Sequence, residues 1–421
     1  MSRPAPVVLD DLAAPCFPPD VEQLLDAMAA MAPACRIEAD AICAAAAEQT
    51  GLHDFGDPGY RPRLEILCTA LRTEGGLSAA GVVSLYSQLV QLMKNRLLIE
   101  DQLRRHPEIH DIEIVRPIII AGLPRTGTTH LHNLISSDPA LRSLPYWESL
   151  EPVLADAERP APGEPDPRLA RTAAALEVMD RALPYFKRMH EMTVDHVHEE
   201  IALLAIDVST MFFETLALVP SWRDAYRATD QTPSYEYLRT VLKVLQWQRG
   251  GTRWVLKSPQ HLEQFGPLVA TFPDATFVVT HRDPAAVTVS MATMIAYTAR
   301  MHSARVDPPA IGRYWSARAE DLFRACARDR HLLPDGQTID VRFDDFMADD
   351  LSMVERIYAL ADQPFGPASR HAMTDFMTAH QRGRHGTVVY QPDVLAIDSA
   401  ERRRALAFYS DRFGLTAEAG P

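Results

Sequence analysis

The stretch Ile118-Ile119-Ile120-Ala121-Gly122-Leu123-Pro124-Arg125-Thr126-Gly127-Thr128-Thr129 constrains the chain most. Consecutive β-branched residues such as Ile118 to Ile120 suit a strand buried on both faces, as in a parallel sheet covered by helices. The run breaks at Gly122, and an apolar helical pattern begins at Thr128 and reaches about Ser137. Strand, loop and helix in that order put the loop beyond the carboxyl end of a strand, where such sheets bind ligands. Gly122 and Gly127 permit torsions and close approach that a Cβ would block, so successive N–H groups can turn toward an anion. The helix adds its free N–H groups and the positive end of its dipole. Glycine, four residues, glycine is the Walker A frame, but Thr128 stands where that motif needs a lysine. Arg125 is the one cation of the loop. The spacing therefore predicts a phosphate loop for a nucleotide other than a conventional nucleoside triphosphate.

Any anionic ligand must find a local basic pocket, because the 421 residues carry a formal net charge of −14. Such a surface repels nucleic acid and anionic membrane alike, and neither is expected as a partner. Residues 1 to 20 lack the basic start and apolar stretch of a signal peptide, and no apolar run approaches the length of a transmembrane segment. Cys16, Cys35, Cys43, Cys68 and Cys326 match no zinc or redox spacing. Reduced thiols in a cytoplasmic protein are the expectation.

Helical periodicity fills about Val21 to His106, with Ser78 placed to cap a long pattern carrying Leu85, Leu89, Leu92, Leu97 and Leu103. A helical N-terminal lobe, residues 1–112, is expected ahead of a second domain, 113–421. Three roles stay open for the lobe: packing on the core, covering the site, or mediating a homo-oligomer. Downstream, Trp254 to Leu256 reads as a strand, with Lys257-Ser258-Pro259 as its turn and a helix from His261 to Phe272. Ala275 to Thr280 reads as another strand, ending in His281-Arg282-Asp283-Pro284 before a helix that carries Ser290. Alternating strands and helices imply parallel neighbours in one sheet, with their carboxyl-end turns on the edge that bears the loop. Arg282 and Ser290, eight residues apart, are then able to converge on one phosphate.

Between these elements lies Met189 to Glu200, in which His190, His196 and His198 fall within a dozen residues. His196 and His198 share a strand face at i, i+2, but no third ligand of settled spacing follows, so no metal is expected. Glu199 and Glu200 precede the apolar segment Ile201 to Phe213, read as a buried helix with acidic residues in its first turn. Near the end of the chain, His380-Gln381-Arg382-Gly383-Arg384-His385-Gly386 is basic and glycine-flanked in an otherwise acidic protein, and Ser399 to Phe413 reads as a terminal helix.

Pro124-Arg125-Thr126-Gly127-Thr128-Thr129, together with the Arg282 and Ser290 pair, resembles the two phosphate-binding elements of sulfotransferases that use 3′-phosphoadenosine 5′-phosphosulfate (PAPS). The resemblance covers about residues 113 to 421. It implies a three-layer α/β/α, P-loop-like core around a parallel sheet, with PAPS as co-substrate and 3′,5′-adenosine bisphosphate as product. The loop would hold the 5′-phosphosulfate, and Arg282 with Ser290 the 3′-phosphate. Lys257, in a Lys-Ser-Pro-x-His arrangement like that of the family, would lie near cofactor or acceptor. Arg382, Gly383, Arg384, His385 and Gly386 would close over the 3′-phosphate side. Sulfuryl transfer to a hydroxyl or amine of a small-molecule acceptor needs a base. An acidic pair at this point of the family order implies Glu199 or Glu200, with His198 as competitor and Arg125 stabilising transferred charge. Two other classes stay open: a nucleotide kinase or NTPase of the P-loop class, and a non-catalytic nucleotide-binding protein.

Overall fold

The protein is described by a computed structural model covering residues 4–418. After a two-residue strand, β1 (Val7–Val8), the chain winds through helices α1 (Pro19–Met31), α2 (Ala39–Thr50), α3 (Tyr60–Thr73) and α4 (Ala79–Arg105). The Ser78 hydroxyl caps α4 by accepting from the Gly81 N–H at 2.9 Å. Four strands then form a wholly parallel sheet: β2 (Ile118–Ala121), β3 (Val255–Ser258), β4 (Thr276–His281) and β5 (Thr338–Arg342), in the order β3-β2-β4-β5. A sixth short strand, β6 (Val388–Val389), pairs in parallel with β1 and ties the start of the chain to its last third.

The uninterrupted apolar run of β2 follows from cover on both sheet faces. Ile119 and Ala121 enter a large core with Leu256, Phe277 and Val279. Ile118 and Ile120 enter a smaller one with Val255, Val278 and Val341. Alternation along the strand sends successive side chains to opposite faces. All three isoleucines are fully buried, worth about 2 kcal/mol each by transfer from water. Helix α5 (Thr128–Ser136) covers the smaller core with Leu131, Leu134 and Ile135, against Val354 and Ile357 of the helix Asp350–Ala361. Leu64, Met93 and Leu97 of α3 and α4 belong to the larger core, which is continuous with the sheet. The result is a mostly helical α/β protein around a four-stranded parallel sheet.

Several local expectations are corrected. Lys257 and Ser258 are strand residues of β3, not a turn, because both sit in register with β2. The helix expected from His261 to Phe272 is a 3-10 turn, Pro259–Glu263, followed by the helix Phe265–Thr271. Ile201 to Phe213 is not one helix: it breaks after Leu204 and resumes at Phe212, with Val208 at φ 49°. Asp207 causes the break, since its carboxylate is drawn to Arg96 at 2.8 Å, Arg63 at 2.5 Å and the Ser234 hydroxyl at 2.6 Å. The C-terminal helix is likewise divided, into Ser399–Ala405 and Ala407–Phe413.

Candidate active site

A cavity of about 1400 Å³ opens at the carboxyl edge of the sheet, where Arg125, Pro259, Arg282 and Phe343 follow the four strands. Gly122 lets the loop leave β2 close to β4, since a Cβ there would stand 1.9 Å from Thr280 Oγ1. Gly127 takes φ 86° and Arg125 takes φ 76°, which carries the backbone around into α5. Pro124, Arg125, Gly127 and Thr129 face the cavity. Thr126 and Thr128 are buried instead. The Thr126 hydroxyl donates to Leu123 O at 2.7 Å and lies 2.7 Å from Thr280 Oγ1, so its side chain closes the loop from within.

Arg125 and Arg282 meet at the loop. Arg125 donates from Nε to Ser290 Oγ at 3.1 Å and from Nη1 to Met189 O at 2.6 Å. Arg282 donates from Nη1 to Arg125 O at 2.6 Å and stacks over the Phe343 ring at 4.1 Å. Ser290 therefore reaches Arg282 only through Arg125, and its own hydroxyl donates to Tyr390 at 2.8 Å. A carboxylate already engages Arg282: Glu418 accepts from Nε at 2.5 Å and from Nη2 at 2.8 Å, while its N–H donates to Asp283 at 2.9 Å. Neither Glu418 nor Tyr390 carries a sequence signal; only the fold brings them to the loop.

The neighbouring glutamates part company. Glu200 is fully buried, with Oε1 2.6 Å from His261 Nε2 and Oε2 accepting from the Lys257 N–H at 2.7 Å. Tyr235 in turn meets His261 Nδ1 at 2.8 Å. Glu199 faces the cavity and pairs with the Lys257 ammonium. His190, His196 and His198 line the same wall. Burial, reinforced by the Lys257 and Arg125 charges, pushes His190 down to about 3. Burial first, then His190 and Lys257, does the same for His196. Burial also holds His198 well below the imidazole range, and its Nδ1 is buried with no partner among the described residues. All three rings are thus neutral near pH 7.

Arg382, Gly383, Arg384, His385 and Gly386 form the opposite rim, with Gly383 at φ 72° and Gly386 at φ 84°. Arg382 pairs with Asp350 and Arg384 with Glu191. After β5, Asp345 pairs with Arg342 at 2.8 Å and Asp344 accepts from the Thr416 hydroxyl at 3.2 Å. Beyond the charged end, Leu92 of α4 and Met179, Leu183, Met291, Met294 and Ile295 give the cavity an apolar wall. The methionine stripe after Ser290 is thereby cavity lining as well as core, and α4 both packs on the core and walls the cavity.

The model of the sulfotransferase family described as Sulfotransfer_3 matches residues 117–367. The chain belongs to the sulfotransferase family. Among solved structures, sulfotransferase STF1 from Mycobacterium tuberculosis H37Rv is similar at 30% identity, with a TM-score of 0.77, over 87% of this chain and 98% of that one. Sulfotransferase STF9 from Mycobacterium avium shares the fold at 24% identity, with a TM-score of 0.81, over 91% of this chain and 98% of that one. No curated protein sequence matches. In this sulfotransferase the family span takes in the loop, Glu199, Lys257, Arg282 and Ser290, whereas Arg382 to Gly386 and Glu418 lie beyond it. No helix among the described residues is long and apolar enough to cross a membrane.

Proposed function

We propose that this sulfotransferase uses PAPS and delivers its sulfuryl group to the hydroxyl of a small acceptor with an apolar body. The observation that carries this reading is one cavity with two arginines at the loop end, a carboxylate on its wall, and a methionine- and leucine-lined remainder. The loop suits a phosphosulfate: Gly122 lets it pack close on β4, Gly127 turns the chain into α5, and Arg125, Gly127 and Thr129 line the cavity at the start of that helix, where free N–H groups favour an anion. Arg125 would hold charge on the transferred group and the leaving phosphate, and Arg282 the 3′-phosphate, once Glu418 has moved aside. The donor supplies the sulfuryl group. The acceptor oxygen forms the new bond to sulfur as the bond from sulfur to the phosphate oxygen breaks, and the acceptor proton passes to Glu199. Lys257, paired with Glu199, orients that carboxylate for the proton. Glu200 is a positioning residue, because both its oxygens are spent on His261 and the Lys257 backbone. Rate enhancement rests on placement and fixed charge, as in phosphoryl transfer.

Thermal shift tests the reading. Ligand bound only by the folded state raises the melting temperature. The expected result is stabilisation by 3′,5′-adenosine bisphosphate, lost in Arg282→Ala. Stabilisation by ATP with magnesium and none by the bisphosphate would overturn it. For the acceptor, a long-chain alcohol is expected to outcompete a polar sugar in sulfate incorporation, and the reverse order would remove the apolar assignment.

A further inference from the structure

Five residues separate His190 from His196, yet the fold closes that gap. The side-chain nitrogens of His190, His196 and His198 lie within 4.8 Å of one another on the cavity wall. The backbone that presents them is pinned on both sides. Val197 bridges Pro145 in antiparallel fashion, with the His198 N–H donating to Leu144 O at 2.7 Å and the Tyr146 N–H donating to His196 O at 2.8 Å. In this extended geometry residues two apart share a face, so both rings turn the same way. The His190 N–H donates to Phe186 O at 2.8 Å and so closes a turn that brings the third ring up to them. Tyr146 packs on the His198 ring at 4.7 Å between centroids and Phe186 on the His190 ring at 5.9 Å.

We propose that His190, His196 and His198 form a three-imidazole site for a divalent transition ion of the zinc class, with its fourth position open to the acceptor cavity. Zinc sites that exchange ligands use three protein donors and leave one place free. With zinc to nitrogen bonds of about 2.0 to 2.1 Å, tetrahedral ligand atoms stand about 3.3 Å apart, so ring rotations of at most about 1.5 Å at the nitrogens close the site. His198 Nδ1 is a buried ring nitrogen that no described residue satisfies, so the wall holds an imidazole nitrogen in want of a partner. Charge around the site is mixed: Lys257 and Arg125 oppose a cation, but Lys257 is paired with Glu199, and the Glu191 carboxylate next in sequence to His190 is itself paired with Arg384. Imidazole-only ligation suits zinc, cobalt or nickel over magnesium or calcium, which seek oxygen. The site revises the expectation of no metal. That expectation looked for a third ligand downstream of His198, whereas the fold supplies one from upstream. The proposal concerns this wall alone and stands whether or not the acceptor reading holds.

Cobalt titration of the full chain, stripped with EDTA, reads the site directly. One equivalent of Co²⁺ is expected to give the visible ligand-field bands of a tetrahedral complex, without a thiolate charge-transfer band, and Zn²⁺ is expected to bleach them. His196→Gln and, separately, His198→Gln are expected to abolish the bands while keeping the wild-type melting temperature. His190→Gln serves the same purpose should either of the others fail to fold. Absence of bands in the wild type, equal bands in the wild type and variants, or a charge-transfer band that places the ion on cysteine would each overturn the proposal.

Discussion

Glu199 and Glu200 are adjacent in the chain, but their surroundings separate their roles. Glu200 has two partners in a dry site, so Glu200→Ala strands His261 and the Lys257 N–H. Removing one member of a buried pair costs about 3–5 kcal/mol, and urea unfolding is expected to show that loss. Glu199→Gln leaves the buried Lys257 ammonium without its carboxylate, so it too is expected to lower the urea midpoint, and, assayed where it is fully folded, to lower turnover at least about a hundredfold, in line with the usual worth of a positioned base. Full turnover in Glu199→Gln would take the proton away from this residue. In the sequence the two acids read only as the start of an apolar helix; the resemblance to sulfotransferases is what implies one of them as the base, with His198 as competitor. Choosing between them takes His261, sixty-one positions from Glu200, whose ring only the fold delivers. Arg125 and Arg282 are legible for the opposite reason, since each sits beside a strand that its own local pattern declares.

Elements were readable where burial is uniform. β2 is a continuous apolar run and β4 is centred on Phe277, Val278 and Val279, and both are buried throughout. β3 is read from Val255 and Leu256, but its end is hidden by Lys257, a lysine only 3% exposed that pairs with a neighbouring carboxylate. The break after Leu204 is hidden too, because α3 and α4 supply the arginines that draw Asp207 inward. At the joint between α4 and the segment after the helix Pro284–Thr298, the Ser78 N–H donates to His302 O at 2.8 Å, and a Cβ on Gly81 would stand 2.0 Å from that oxygen. Burial pushes the His302 imidazole down to about 4. Its folded pKa lies below the unfolded value near 6.5, so its stability contribution is whole above pH 6.5 and is lost as pH falls toward 4. The loss is at most about 3 kcal/mol. Melting temperature is expected to drop between pH 7.5 and pH 5, and to drop less in His302→Gln. Identical pH profiles would show that the joint does not titrate.

At the scale of the molecule, the N-terminal helices and the sheet share one hydrophobic core. Helical periodicity makes the helices legible but says nothing of what they pack against. Arg96 and Arg63 reach from α4 and α3 to Asp207 at 2.8 and 2.5 Å, and Asn95 of α4 donates to Leu150 O at 2.8 Å. A chain that starts at residue 113 would expose this core and leave Asp207 without its cations. It is expected to show no cooperative thermal transition by circular dichroism. A sharp transition in that chain would make the helices a separable unit.

On the role proposed for Arg282, its pairing with Glu418 makes nucleotide entry an exchange of anions rather than a capture. A bare guanidinium would gain affinity steeply as salt is lowered, because an unscreened charge meets the phosphate. Here the arriving phosphate replaces a carboxylate, and the local charge changes less. The affinity for 3′,5′-adenosine bisphosphate is therefore expected to depend less steeply on ionic strength in the native chain than in Glu418→Gln, which also binds more tightly at low salt. Calorimetry across a salt series measures both slopes, and equal slopes would remove the tail from the binding equilibrium. A guanidinium that carries its own counter-ion is then expected to take up a lone inorganic anion poorly and to yield to a ligand that grips the cavity at several points at once.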